Sequence, residues 1–262
     1  MARDVAARLA ALEDFADVAG ALRAIAAGNL QQAETIRSAS RDYAQRLDAA
    51  RAAALGPADE APSPPALSVA FVAEHGFCAA FDRPVLAALD GAGHALLVGR
   101  SGTRRAREMG VAFAAHLAMA AHPAGLDECV ASVAAQCRPA LARGGVRLLA
   151  MRAEPGHMRL CARRLGQTHA RPAATSAVLC NLAPAALAAN LADEILYAAI
   201  FLFAVESFAA ENAARFARMD GACRRARDMG EALLLAANRE RQDAISGEIA
   251  DIYAARPRQT AL

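Results

Sequence analysis

The residues of this chain that could do chemistry fall into no catalytic pattern. The stretch GRSGTRRAREMG (99–110) matches neither G-x-G-x-x-G nor G-x-x-x-x-G-K-[ST], the patterns whose glycines let the backbone approach a phosphate. The six histidines include no HExxH and no pair at helical spacing that could hold a metal. Ser101 and Ser207 lack the nucleophile-elbow context of hydrolases. We therefore expect no catalytic residue, no cofactor and no metal.

Charge and cysteine usage narrow the class of protein. The chain has 29 basic residues, all of them arginine, and 27 acidic residues, so a strongly basic nucleic-acid binder is not expected. The N-terminal MARDVAARLAALEDF is too charged for a signal peptide, and the apolar run at 195–205 is too short to span a bilayer. The six cysteines form no CxxC, which favours free thiols in a reducing cytoplasm. We expect a cytosol-side soluble protein.

The tail NRERQDAISGEIADIY (238–253) carries two stripes side by side. On a helix, Ile245, Ile249 and Ile252 fall within an arc of about 60°. Gln242, Ser246 and Tyr253 lie on the adjacent arc. The isoleucines are expected to pack against a partner helix. Taken alone, the polar stripe is typical of a solvated face, and Arg241 and Glu248 are typical of ordinary surface charges.

Two long periodic segments must position this tail. In residues 1–55 apolar residues recur every three or four positions without a proline, which predicts a helix of about 50 residues, roughly 75 Å long. The chain again reads as helix from about Ala185 to Ala254, roughly 105 Å. Helices so rich in alanine need a partner along their length, and an antiparallel coiled coil of the two would supply it.

Between the two long helices, predicted strands alternate with predicted helices. GPADEAPSPP (56–65) predicts a linker, and ALSVAFVA (66–73), HALLVG (94–99), GVRLLAMRA (145–153) and HMRLCARRL (157–165) predict strands. Residues 125–144 predict a helix that Pro139 could kink or end early. The fold class is therefore α+β overall, with a central Rossmann-like α/β domain and a largely parallel sheet. The expected divisions are an N-terminal coiled-coil helix (1–55), a linker (56–66), the α/β domain (67–184), a C-terminal coiled-coil helix (185–255) and a tail (256–262).

The C-terminal segment resembles the gamma subunit of F-type ATP synthases. That family's last helix has an asparagine, then Arg-Gln, an isoleucine followed by Thr or Ser, a glutamate and a closing isoleucine. These are matched without a gap by Asn238, Arg241, Gln242, Ile245, Ser246, Glu248 and Ile252. ENAARFARM (211–219) is similar to the family's Ala-Ala-Arg-Met segment, with Arg215 in the arginine position.

Two upstream segments add to the resemblance. EHGFCAAFD (74–82) is similar to the family's Gly-Leu-Cys-Gly turn, matched at Gly76 and Cys78, and DVAGALRAIAA (17–27) aligns with its Lys-Ile-Thr-x-Ala-Met segment. The chain departs from the family at three positions: Ala19 replaces a threonine, Ala79 replaces the second glycine of the turn, and Gly247 lies inside the helix. The resemblance is weak from about 100 to 180. Such departures suggest a divergent branch, as in the alternative sodium- or proton-linked ATPases.

The resemblance implies a rotor. Three alpha and three beta subunits would surround the helices, and the central domain would rest on the epsilon subunit and the c-ring. The chain would thus touch no nucleic acid and meet the membrane only through the c-ring, at the cytoplasmic face of a bacterial inner membrane. The implied beta-subunit contacts are Arg241, Gln242, Ser246, Glu248 and Arg215. The implied shaft positions against the ring are Leu22, Ile25, Ile245 and Ile249, with Gly76 and Cys78 in the family turn.

Two other classes of function remain open from the residues alone. One is a coiled-coil scaffold or adaptor without rotary partners, for which the Arg-Gln-Ile-Ser register would have no use. The other is a small α/β enzyme with helical extensions, which would need a catalytic constellation that the sequence does not display.

Overall fold

The computed structural model describes residues 2–56, 64–78, 81–89, 94–166 and 181–254. Helix α1 (Ala2–Leu55) is followed by β1 (Leu67–Phe71), α2 (Asp82–Ala87), β2 (Ala95–Val98) and α3 (Arg100–Glu108). After β3 (Ala115–Leu117) and a single 3-10 turn (Pro123–Gly125) come α4 (Leu126–Arg143), the hairpin β4 (Val146–Glu154) and β5 (His157–Leu165), and α5 (Pro184–Ala254). The linker prediction falls mostly outside the described residues, and Ala79 lies outside them.

The five strands form one mixed sheet in the order β3-β2-β1-β4-β5. Strand β1 pairs in parallel with both β2 and β4, β2 pairs in parallel with β3, and β5 runs antiparallel to β4. The tight turn between β4 and β5 places Gly156 at φ +79, a conformation that glycine adopts without strain. Because three of the four strand pairings are parallel, the sequence-based expectation of a largely parallel sheet is confirmed.

Helices cover both faces of this sheet. Alternate residues of β1 point to opposite sides, so that Val69 and Phe71 pack against α4 and α5. Ala70 and Val72, the residue just after the strand, pack against α2 and α3. Such two-sided burial explains why the central strands read as continuous apolar runs rather than as alternating ones. The α/β core is the Rossmann-like arrangement that the sequence predicts.

Three features of this domain differ from the sequence-based reading. Pro139 neither ends nor shortens α4, which continues to Arg143 around it. Tertiary packing explains this, because Cys137 and Ala140 on either side of the proline are buried against the sheet. Residues 100–108 form helix α3 rather than a phosphate-binding loop, and the short edge strand β3 follows from no pattern in the sequence.

Each long helix contributes to two compact units. One unit contains residues 1–24 and 217–262, and the other contains residues 25–216, including the sheet. Along α1, Ala19, Ala26 and Ala33 are buried at seven-residue spacing, the repeat of a coiled-coil seam. Small residues on this seam let the backbone of another helix approach closely. The coiled coil itself stays a prediction.

Candidate partner-binding site

In the unit that contains the chain ends, α1 and α5 pack side by side in opposite directions. Ala19 and Leu22 on α1 contact Met219, Ala222 and Cys223 on α5. Arg23 forms an ion pair of 2.9 Å with Asp220, and the Cys223 thiol donates to the carbonyl of Ala16. Since Leu9 lies beside Gly230, lower numbers on α1 meet higher numbers on α5.

Among the described residues, this register leaves the last turns of α5 without a partner helix. Carried on from Leu9 and Gly230, it places the first residues of α1 level with about residue 237 of α5. Every described side chain from Asn238 to Ile252 is exposed. The segment 238–254 is therefore an overhang of roughly 24 Å at 1.5 Å per residue.

The overhang holds most of the implied contact residues. Arg241, Gln242, Ser246 and Glu248 are all exposed along it. Together they offer a guanidinium, an amide, a hydroxyl and a carboxylate, so they can donate and accept hydrogen bonds and form ion pairs. Gly247 lies between them with open space where a Cβ would be.

The isoleucine row does not pack against the partner helix, and this expectation is wrong. Ile245, Ile249 and Ile252 are 46%, 49% and 67% exposed. The physical reason is the register, because Leu9 of α1 already lies beside Gly230 of α5, and the described part of α1 does not extend level with the isoleucines. The overhang thus shows both a polar and an apolar stripe to its surroundings.

The two shaft positions on α1 differ in exposure. Leu22 is half-buried against the seam formed by Met219 and Cys223, so little of its surface is turned outward. Ile25 is exposed, with 56% of its surface accessible. Ile25 is thus placed for an outside contact, whereas Leu22 mainly serves the helix pair.

Arg215 is not a surface contact, and the structure corrects this expectation. It is only 6% exposed. Its guanidinium pairs with the Glu211 carboxylate one turn earlier on α5 and donates to Asn212 Oδ1 at 3.0 Å. A buried arginine needs such a partner because an unpaired buried charge is costly. Its guanidinium is therefore used inside the fold.

The turn with Gly76 and Cys78 is held by Glu211. The backbone N–H groups of Glu74 and His75 donate to its two carboxylate oxygens at 2.9 and 3.0 Å. Although burial of Glu211 acts to raise its pKa, the hydrogen bond with His75, the charge of Arg215 and the two amides outweigh burial, and the pKa is lowered.

Cys78 is itself buried in this turn. Its thiol lies 3.5 Å from the Gly76 carbonyl, and burial raises its pKa to about 12, with the Glu211 charge adding to the rise. The thiol is therefore a neutral packing group rather than a nucleophile.

A second carboxylate lies at the start of α3. Glu74 accepts the backbone N–H of Arg100 at 3.0 Å and of Met119 at 2.8 Å. Gly99 has φ +134, and a Cβ on Gly102 would stand 2.3 Å from that of Val72, so the helix passes very close to β1. The glycines of this stretch are explained by close packing.

Glu206 on α5 forms ion pairs with three arginines. It is 2% exposed and lies 3.7 Å from Arg37 and 2.5 Å from Arg41, both on α1, and 3.2 Å from Arg152 on β4. Sequence reasoning missed this residue and Glu211. The available signal was an acidic residue inside the apolar stretch FLFAVESFAAEN, since a charge amid core residues is seldom buried without a partner.

By length and composition α5 could cross a membrane. More than half of its most apolar segment is buried in the fold, as in the core helix of a folded protein.

Known proteins resemble this chain in sequence over part of its length and in fold over nearly all of it. A family model described as ATP synthase matches residues 145–256. No curated protein matches significantly in sequence. Among solved structures, the Euglena gracilis mitochondrial ATP synthase in rotational state 3 contains a chain with TM-score 0.70 at 13% identity, covering 99% of this chain and 98% of that one.

Two further solved structures contain chains that are similar to this one in fold. The rotor of the Euglena gracilis enzyme in rotational state 1 gives TM-score 0.68 at 14% identity, covering 93% of this chain and 98% of that one. The central stalk and c-ring of the Tetrahymena thermophila mitochondrial ATP synthase gives 0.57 at 13%, covering 78% and 99%. Residues 145–256 thus match the ATP synthase family model, and almost the whole chain shares the fold of a chain in the Euglena gracilis ATP synthase.

Proposed function

We propose that this protein is the central-stalk rotor of an F-type ATP synthase and transmits torque between an ion-driven c-ring and a ring of alpha and beta subunits. The observation that carries the proposal is the agreement in fold over 99% of this chain with a chain of the Euglena gracilis ATP synthase, joined to the family match at 145–256. The chain would perform no catalysis itself, since the catalytic sites belong to the surrounding subunits.

The overhang of α5 is the element proposed to meet the ring. Arg241, Gln242 and Ser246 would contact one beta subunit at a time, with Glu248 as a weaker contact. A contact shifts a conformational equilibrium only by the difference in its free energy between the states. A charge-assisted hydrogen bond supplies about 1.5–3 kcal/mol, enough to favour one beta conformation over another. Rotation of the chain by a third of a turn would transfer that bias to the next beta subunit.

The exposed isoleucines are proposed to keep the implied position against the ring, although they do not hold the two helices together. Ile245 and Ile249 are free to contact the ring directly because α1 does not cover them, and exposed Ile25 can do so on the other helix. An apolar contact that lacks directional hydrogen bonds lets the surfaces slide during rotation. The polar stripe would then carry the bias while the apolar stripe acts as a bearing.

The α/β domain is proposed to rest on the epsilon subunit and the c-ring. This would place the chain at the cytoplasmic face of a bacterial inner membrane, reached only through the c-ring. The residues that choose between H⁺ and Na⁺ would lie in the c subunits.

Two experiments test the proposal. The tagged chain, purified from membranes, should bring with it alpha, beta, epsilon and c subunits; their absence would favour a scaffold without rotary partners. In reconstituted vesicles, Arg241→Ala with Gln242→Ala should weaken ATP synthesis, whereas Arg239→Ala, also exposed on the overhang, serves as the matched control. Unchanged synthesis in the double variant would refute the assigned contact.

A further inference from the structure

The carboxyl edge of the sheet is where an open α/β fold ordinarily binds its ligand. Such ligands lie at the point where the strand order reverses, outside the carboxyl ends of neighbouring parallel strands. Here that point is β1, which lies between β2 and β4. The first residues beyond β1 should therefore carry free backbone amides facing a crevice.

In this chain those amides are already bound. Glu211, which is 3% exposed, accepts the N–H groups of Glu74 and His75 just after β1. The second position that a phosphate would use, the N-terminus of α3, is bound by the Glu74 carboxylate through the N–H of Arg100. Both anion positions are thus filled by carboxylates of the chain itself.

The carboxylate after β1 comes from the long helix rather than from the α/β domain's own loops. Five residues earlier on α5, Glu206 reaches Arg152 near the end of β4. Two buried acidic residues of α5 are therefore attached to the two central strands. Bonds to backbone amides hold a helix more rigidly than bonds between flexible side chains, because the amides have no rotamers to change.

We propose that this edge, instead of binding a ligand, is a load-bearing joint between α5 and the sheet, with Glu211 as the positioning residue. The role rests on the proposed rotor function. Twisting α5 would pull on β1 through the Glu211 carboxylate instead of letting the helix slip over the apolar face of the sheet.

Glu211→Gln tests the joint, because it keeps the size of the side chain but replaces one accepting oxygen with a donor. In the isolated chain, hydrogen exchange at the Glu74 and His75 amides should become roughly tenfold faster or more. In the complete enzyme, ATP hydrolysis should persist while ions pumped per ATP fall. Glu108→Gln, an exposed position on α3, should change neither measurement.

Two comparisons separate the possible failures. Should Glu211→Gln fail to fold because Arg215 loses its counter-charge, Glu211→Gln with Arg215→Gln removes both charges and is measured in its place. Unchanged exchange at the two amides, or full pumping per ATP in a variant, would overturn the joint. Failure of the wild-type chain to support any ATP-driven pumping would instead overturn the proposed function, and this role with it.

Discussion

Arg41 on α1 donates its Nε–H to Glu206 on α5 at 2.7 Å, so a single carboxylate in the core links the two long helices. Arg37 and Arg152 converge on the same group. The Glu206 side chain is almost completely shielded from water, whereas Arg41 and Arg152 remain partly accessible. Glu206 therefore neutralises much of this cluster of positive charge, and Arg37 also pairs with the Glu34 carboxylate.

Glu206→Gln should consequently destabilise the chain strongly. Three guanidinium groups would lose their shared counter-charge, and breaking a buried ion pair costs about 3–5 kcal/mol. We expect the lower end of this range because two of the arginines can turn toward water. Denaturant unfolding of the purified chain measures it, with exposed Glu108→Gln as the control. Equal midpoints for the two variants would contradict the prediction.

Acidification should weaken the fold through Glu211. Its pKa is lowered in the folded chain, so its contribution to stability is complete above the ordinary value near 4.5 and is lost as the pH falls through the lowered pKa. The titratable groups facing it are His75, Cys78, Arg215 and Asp82. Burial raises the pKa of Asp82, which acts in the opposite direction.

The prediction is therefore tested by comparing how the unfolding free energy depends on pH in the wild type and in Glu211→Gln. Unfolding free energies at pH 7 and below pH 4.5 should fall less steeply with acid in Glu211→Gln than in the wild type. Parallel pH profiles for the two chains would show that Glu211 gains nothing from its partners.

The exposed isoleucine row should be dispensable for folding. Ile249→Ala should change the unfolding free energy of the isolated chain by no more than about 0.5 kcal/mol, as expected of a surface position. Met219→Ala, which removes a buried side chain of the α1–α5 seam, should cost about 2–5 kcal/mol. A large loss for Ile249→Ala would show that another part of the chain covers the overhang.

Two glycine-to-alanine substitutions should change the stability of the fold in opposite directions. At Gly102 the new methyl group would meet the Val72 side chain at 2.3 Å and Asp82 Oδ1 at 2.8 Å, an overpacking that costs about 1–3 kcal/mol. At Gly247 the methyl group would meet open space on a helix, with a gain of up to about 1 kcal/mol. Thermal unfolding checks both, and a neutral Gly102→Ala would contradict the close approach of α3 to β1.

The sequence by itself determined the local structure. Helical periodicity without proline predicts α1 and α5, and apolar β-prone runs predict β1, β2, β4 and β5, because these signals depend on neighbours along the chain. The Arg-Gln-Ile-Ser register of the tail likewise carried the family resemblance. The tertiary structure decided which side chains meet.

The offset between α1 and α5 is the clearest case, since it exposes Ile245 and Ile249, and no pattern within either helix specifies an offset between them. The burial of Arg215, Glu206 and Glu211 is another. A charged residue on a helix has the same local sequence pattern whether it faces water or a group more than a hundred residues away, such as the amides just beyond β1. Packing against the sheet also explains why α4 continues beyond Pro139. Pairing between distant segments is set by the summed burial of many residues, which a local pattern does not contain.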